Sequence, residues 1–110
     1  MTPRRALLVE DEILVSMAAA DSLRRMGFEP VVASSAEEAL DAVAQHGESI
    51  VLAMIDVGLP DMRGDALARR IRQSLPSLPV VLASGYDSAE LRRDIAGEDA
   101  IQLLWPAPEG

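Results

Sequence analysis

Glu10, Asp11 and Glu12 follow the apolar run Leu7-Leu8-Val9, and Asp56 follows Met54-Ile55 before Val57-Gly58-Leu59-Pro60-Asp61. Short apolar runs of this kind read as strands buried on both faces, as in a parallel sheet. In an open α/β sheet, sites form just beyond the carboxyl ends of the strands. If the strands ahead of the two acidic clusters are neighbours, Glu10, Asp11 and Asp56 converge. Carboxylates that close repel by roughly 4 kcal/mol per pair at ~4 Å and an effective dielectric of about 20. A divalent cation in the gap removes that cost. Hard oxygen ligands with room left for water suit Mg²⁺.

The rest of the chain must supply the elements that hold those ends together. Ala6–Val9 reads as the first strand. Ile13–Met26 reads as a helix with Val15, Ala19, Leu23 and Met26 on one face, closed by Gly27. Phe28–Ala33 is a second strand, and Pro30 within it removes a ladder donor, which marks an edge. Ser35-Ala36-Glu37-Glu38 is a capping box opening a second helix that runs to about His46 and stops at Gly47. Ile50–Ile55 is the most apolar stretch and the expected central strand. Beyond the Gly58–Gly64 loop, Asp65–Gln73 is a third helix with Leu67 and Ile71 inward. Pro76 and Pro79 bracket a turn into a fourth strand, Val80–Ala83. Asp87-Ser88-Ala89-Glu90 opens a short fourth helix through Ala96, ended by Gly97, and Ile101–Leu104 is a fifth strand. Trp105-Pro106-Ala107-Pro108-Glu109-Gly110 cannot be helical.

Strands alternating with helices imply a parallel sheet with right-handed crossovers. The expected fold is α/β: a doubly wound, flavodoxin-like sheet of five strands in the order 2-1-3-4-5. That order sets the ends of the first and third strands side by side. The 110 residues fit one domain spanning 1–110.

Composition excludes several functions. A net charge of −8 disfavours nucleic acid and anionic membrane surfaces as partners. There is no cysteine, hence no disulfide framework and no thiolate chemistry. Ala6 to Val9 is too short an apolar stretch for a signal sequence after Arg4-Arg5, and no segment could span a bilayer, so a cytoplasmic location is expected. All ten basic residues are arginine, so no chemistry here can use a lysine amine. Neither a Gly-rich phosphate loop nor a dinucleotide fingerprint is present. His46, alone beside Gly47, reads as a solvated helix-end residue rather than a phosphate relay.

Three runs carry a family resemblance: Leu8-Val9-Glu10-Asp11-Glu12, Asp56-Val57-Gly58-Leu59-Pro60-Asp61-Met62-Arg63-Gly64 and Ala83-Ser84-Gly85-Tyr86. With them the chain resembles, over nearly its whole length, the receiver domain of bacterial two-component response regulators. The resemblance implies that Asp56 is the phosphoacceptor and attacks phosphorus to form an acyl phosphate. It implies that Asp11, Asp56 and the Gly58 carbonyl ligate Mg²⁺ while Glu10 holds a metal-bound water. Ser84 matches the hydroxyl residue that bonds a phosphoryl oxygen, and Gly58 and Tyr86 match the positions that set phosphate lifetime. The implied partners are a sensor histidine kinase or phosphotransfer protein and a downstream protein target, with no enzymatic turnover. Each residue also has a plainer reading. Glu10 and Asp11 could cap the first helix, Ser84 could serve the turn before Gly85, and Tyr86 could be a loop aromatic.

The chain departs from the family at three places. Receivers normally carry a lysine before a proline at the end of the fifth strand; here the pair is Trp105-Pro106. Three residues earlier the usual Tyr or Phe is replaced by Gln102, although Leu82-Ala83-Ser84-Gly85-Tyr86 resembles a subset of receivers that lack this aromatic switch. Finally, no normal fifth helix follows Pro106-Ala107-Pro108-Glu109-Gly110, which leaves an apolar face beside the first helix for the tail, a partner or a second copy in a homodimer. The leading expectation is a stand-alone, atypical phosphoacceptor receiver dependent on Mg²⁺. Its alternative is a degenerate pseudo-receiver, never phosphorylated, that acts as a protein interaction module. A metal-dependent phosphohydrolase would need a second metal-binding Asp in an Asp-x-Asp pair or a general acid near the nucleophile, and Asp56-Val57-Gly58 supplies neither.

Overall fold

The structure, a computed structural model, describes residues 3–83 and the backbone of 101–104. The elements run β1 (Arg5–Val9), α1 (Ile13–Arg25), β2 (Glu29–Ala33), α2 (Ala36–His46), a 3-10 turn (Gly47–Ser49), β3 (Ile50–Asp56), α3 (Gly64–Ser74), β4 (Val80–Ala83) and β5 (Ile101–Leu104). They form one five-stranded sheet in the order β2-β1-β3-β4-β5, every pairing parallel. The doubly wound α/β fold is the expected one. Val9 pairs with Ile55 across β1 and β3, so Glu10 and Asp56 leave the sheet level with each other. Asp56 is in turn level with Ala83, and Ala83 with Leu104.

Alternation along the strands divides the core between the two faces. On one, Leu7, Val9, Ile55 and Leu82 of the strands and Leu67 and Ile71 of α3 are each 0% exposed and share one cluster with residues of α2. Each such side chain contributes about 1.5–3 kcal/mol by leaving water. On the other, Ala6, Leu8, Ala20 and Leu23 are buried, with Phe28, Leu52 and Met54 half covered. Among the described residues this second layer is the thinner one.

The inward face of α1 matches the expected one at Leu23, which is buried, and at Ala19, which packs against the same cluster, but not at Val15 and Met26. Ser16, Ala20 and Leu23 are buried, whereas Val15 is 47% and Met26 64% exposed. The helix is apolar almost all round, from Ile13 through Ala20, so periodicity could not choose a face. Close approach to β1 selects small residues, and the Ser16 hydroxyl is satisfied by donating to the Ile13 carbonyl at 2.9 Å. The helix ends at Arg25, one residue early, with Met26 as cap and Gly27 at φ 92°, a left-handed turn that suits glycine.

The expected capping box at α2 is only half present. The Ser35 hydroxyl accepts the Glu38 N–H at 3.2 Å. The Glu38 carboxylate, however, reaches past Ser35 to the N–H and hydroxyl of Ser34, at 3.1 and 2.9 Å. Expected inward residues Leu67 and Ile71 of α3 are both buried. The expected fourth helix through Ala96, Ser84, Tyr86, Trp105 and the tail 106–110, with the question of a fifth helix, lie outside the described residues. No helix among the described residues is long and apolar enough to cross a membrane.

Candidate metal centre

The register of β1 and β3 brings Glu10, Asp11 and Asp56 together at the carboxyl edge of the sheet. One carboxylate oxygen from each lies within 4.8 Å of the others. Glu10 and Asp56 are half-buried and Asp11 is exposed. Burial, then the adjacent Asp56 charge and a hydrogen bond with that side chain, push the Glu10 carboxyl from 4.5 up to about 7. Without a cation, the cluster therefore relieves its repulsion by taking up a proton. A hard divalent ion does the same while leaving all three oxygens anionic, and the donor set fits Mg²⁺ or Mn²⁺.

Helix capping does not account for the cluster. The cap of α1 is Glu12, whose side chain makes no capping bond, and the first turn holds no acidic residue. The backbone N–H that Glu10 accepts, at 3.3 Å, is that of Glu12, the cap residue, which is not part of the helix. The N–H of Glu10 itself donates to the Ala33 carbonyl at 3.0 Å, which ties the end of β1 to the end of β2.

Asp56 is oriented from within its own loop, where the Gly58 N–H donates to its Oδ1 at 3.2 Å. The loop closes on itself through an antiparallel bridge between Gly58 and Arg63 and a bond from the Gly64 N–H to the Val57 carbonyl at 2.9 Å. Gly64 is required for that closure. A Cβ there would collide with the Asp56 carbonyl oxygen and stand 2.8 Å from the Val57 Cα. Leu59 anchors the loop in the core and Met62 packs against it.

Two aspartates matter in ways the sequence did not show. Asp61 accepts the N–H groups of Ala36 and Glu37 at 2.9 and 3.1 Å, and these bonds hold its carboxyl below the usual range. Asp65 is buried in the first turn of α3 and pairs with Arg63 at 2.9 Å and Arg69 at 3.4 Å. The partners of Asp61 are distant in sequence and brought close only by the fold, whereas those of Asp65 lie two and four residues away, a local pairing that the spacing of Asp65 and Arg69 on one helix face could have signalled. Of the remaining expected site residues, Gly58 is placed in the loop behind Asp56, and Gln102 lies in β5 opposite Val81.

The sequence profile of the response regulator receiver domain matches residues 6–105. The chain belongs to that family, and it is a receiver domain of the two-component type. It is 32% identical over 102 residues to the sensor kinase CckA of Brucella abortus, covering 93% of this chain and 11% of that protein. It is 38% identical over 100 residues to the response regulator protein FleR of Pseudomonas aeruginosa, covering 91% of this chain and 21% of that one. The chain thus spans a small part of these curated relatives. Among solved structures, the receiver domain of the hybrid histidine kinase CckA superposes with a TM-score of 0.79 at 34% identity, over 96% of this chain and 87% of that one. A receiver domain protein from Clostridium thermocellum shares the fold with a TM-score of 0.86 at 24% identity, over 96% and 83% of the two chains.

Proposed function

We propose that the chain is a Mg²⁺-dependent phosphoacceptor whose Asp56 takes a phosphoryl group from a phosphohistidine on a sensor kinase or phosphotransfer protein. The observation that carries this is the cluster of Glu10, Asp11 and Asp56 within 4.8 Å at the end of the two central strands. An Asp56 oxygen forms a bond to phosphorus as the phosphorus–nitrogen bond breaks, and the departing imidazole takes up a proton. Asp11, Asp56 and the Gly58 carbonyl would hold the ion, with Glu10 reaching it through water. When bound, the ion neutralises charge that builds up on the phosphoryl oxygens, which with positioning is most of the catalysis in such transfers. The Gly58 N–H holds the Asp56 carboxylate in one orientation for that attack. By resemblance, Ser84 bonds a phosphoryl oxygen, and Gly58 and Tyr86 govern access of hydrolytic water.

Output passes through protein contact to a downstream target in the cytoplasm, and the domain is a signalling component rather than an enzyme. Trp105, where relatives usually carry lysine, favours a second reading in which the domain is an interaction module that never receives phosphate. Incubation with a small acyl phosphate, with and without Mg²⁺, separates the two by intact mass. The expected result is a gain of one phosphoryl group that needs Mg²⁺ and is abolished in Asp56→Asn. No gain under any condition would leave the interaction module.

A further inference from the structure

The β3–α3 loop is held at more points than its own closure needs. Its base is fixed by the Gly58–Arg63 bridge and the Gly64 to Val57 bond, while Leu59 anchors it in the core. Its exposed tip nevertheless sends both carboxylate oxygens of Asp61 across to the start of α2, onto the N–H groups of Ala36 and Glu37. A carboxylate on two N–H groups of a helix start makes charge-assisted bonds, stronger than neutral ones. The third N–H, that of Glu38, is already taken locally by Ser35. Ala33, which ends β2 two residues before the Ser35 cap, accepts the Glu10 N–H at 3.0 Å. The β2–α2 junction is thus tied to both halves of the carboxylate cluster: to Glu10 through the backbone, and to the Asp56 loop through Asp61.

We infer that Asp61 is a positioning residue for the metal centre: by clamping the loop tip to α2 it fixes the backbone at Gly58, and through the Gly58 N–H the orientation of the Asp56 carboxylate. Residues that orient metal ligands without touching the ion commonly change affinity by about ten- to a hundred-fold when removed. Asp61 acts over two links rather than one, so the effect belongs at the lower end of that range. This inference rests on the proposed metal site, and its test separates the two.

Mn²⁺ affinity is measured by the electron paramagnetic resonance of free ion for wild type, Asp61→Ala, Asp61→Asn and Ser35→Ala, each shown to be folded by circular dichroism. Ser35→Ala removes a cap from the same helix start and leaves the loop alone. The expected result is a loss of about tenfold for Asp61→Ala, a smaller loss for Asp61→Asn, whose amide oxygen keeps one bond, and wild-type affinity for Ser35→Ala. Should Asp61→Ala not fold, the pair Asp61→Asn and Ser35→Ala decides by the same contrast. Equal affinity in all four proteins, or an equal loss in the Asp61 and Ser35 variants, overturns the positioning role while the metal site stands. Wild type that binds no Mn²⁺ overturns the metal site and this inference together.

Discussion

Glu10 is the residue on which the state of the site turns. Its carboxyl is raised from 4.5 to about 7, so between those values the folded chain binds a proton that the unfolded chain releases. Stability of the metal-free protein from this group is therefore present at low pH and lost as pH rises towards 7. Asp61 and Glu38, both lowered, act in the opposite sense and lose their contribution as pH falls through the acid range. Denaturant titrations across pH 4.5–7 should show the Glu10 slope in the metal-free protein, a flatter profile in Glu10→Gln, and a reversed slope with saturating Mg²⁺. An unchanged profile in Glu10→Gln would remove Glu10 as the titrating group. Residue 105 provides a second test. Trp105 directly follows β5, whose last residue, Leu104, pairs with Ala83, itself paired with Asp56. Three carboxylates and one Mg²⁺ sum to −1, so adding a phosphoryl group of about −2 is electrostatically hard. Trp105→Lys should speed phosphorylation by a small acyl phosphate and weaken Mg²⁺ binding. If neither changes, residue 105 does not act on the site.

At the scale of elements, legibility followed the range of the interactions. Ile50–Ile55 and Val80–Ala83 were plain because an apolar run between turn residues has few alternatives, and both strands appear where expected. The inward face of α1 was not plain, because Ile13, Leu14, Val15 and Met17 leave no polar side by which to orient it. The cluster of Glu10, Asp11 and Asp56 could be anticipated because strand order alone brings two strand ends together. The clamp from Asp61 could not, since it needs a loop tip and a helix start that are distant in sequence. The turn at Gly64 provides a test of how closely α3 approaches β3. Gly64→Ala places a methyl group against the backbone of Asp56 and Val57. It should cost about 1–3 kcal/mol of stability in denaturant unfolding, as overpacking does. A loss well below that range would mean that the loop relaxes without strain.

For the whole molecule, the asymmetry of the two faces bears on partners. α1 starts immediately beyond Glu10–Glu12, and there Ile13 is 73%, Leu14 81% and Met17 62% exposed. Exposed apolar side chains grouped beside a site mark a surface for protein contact. On the proposed function, a protein phosphodonor would bring its imidazole to Asp56 across this region, whereas a small acyl phosphate need not touch it. Leu14→Glu should therefore slow transfer from a phosphorylated histidine protein by roughly tenfold, the effect of losing about 1.4 kcal/mol of contact. It should leave phosphorylation by the small donor unchanged. Equal slowing with both donors would place the defect in the site itself.

The two halves of the carboxylate cluster belong to strands that meet only when distant parts of the chain have closed. Glu10 and Asp11 follow β1, Asp56 ends β3, and α1, β2 and α2 lie between them in sequence. A cation can grip all three only after the central pairing has formed and the turns at its edge have settled. Its stabilisation should therefore be absent from the folding transition state. In stopped-flow experiments, Mg²⁺ should lower the unfolding rate and leave the refolding rate unchanged. Metal supply would then set how long a folded domain lasts between unfolding events, not how quickly a new one is made.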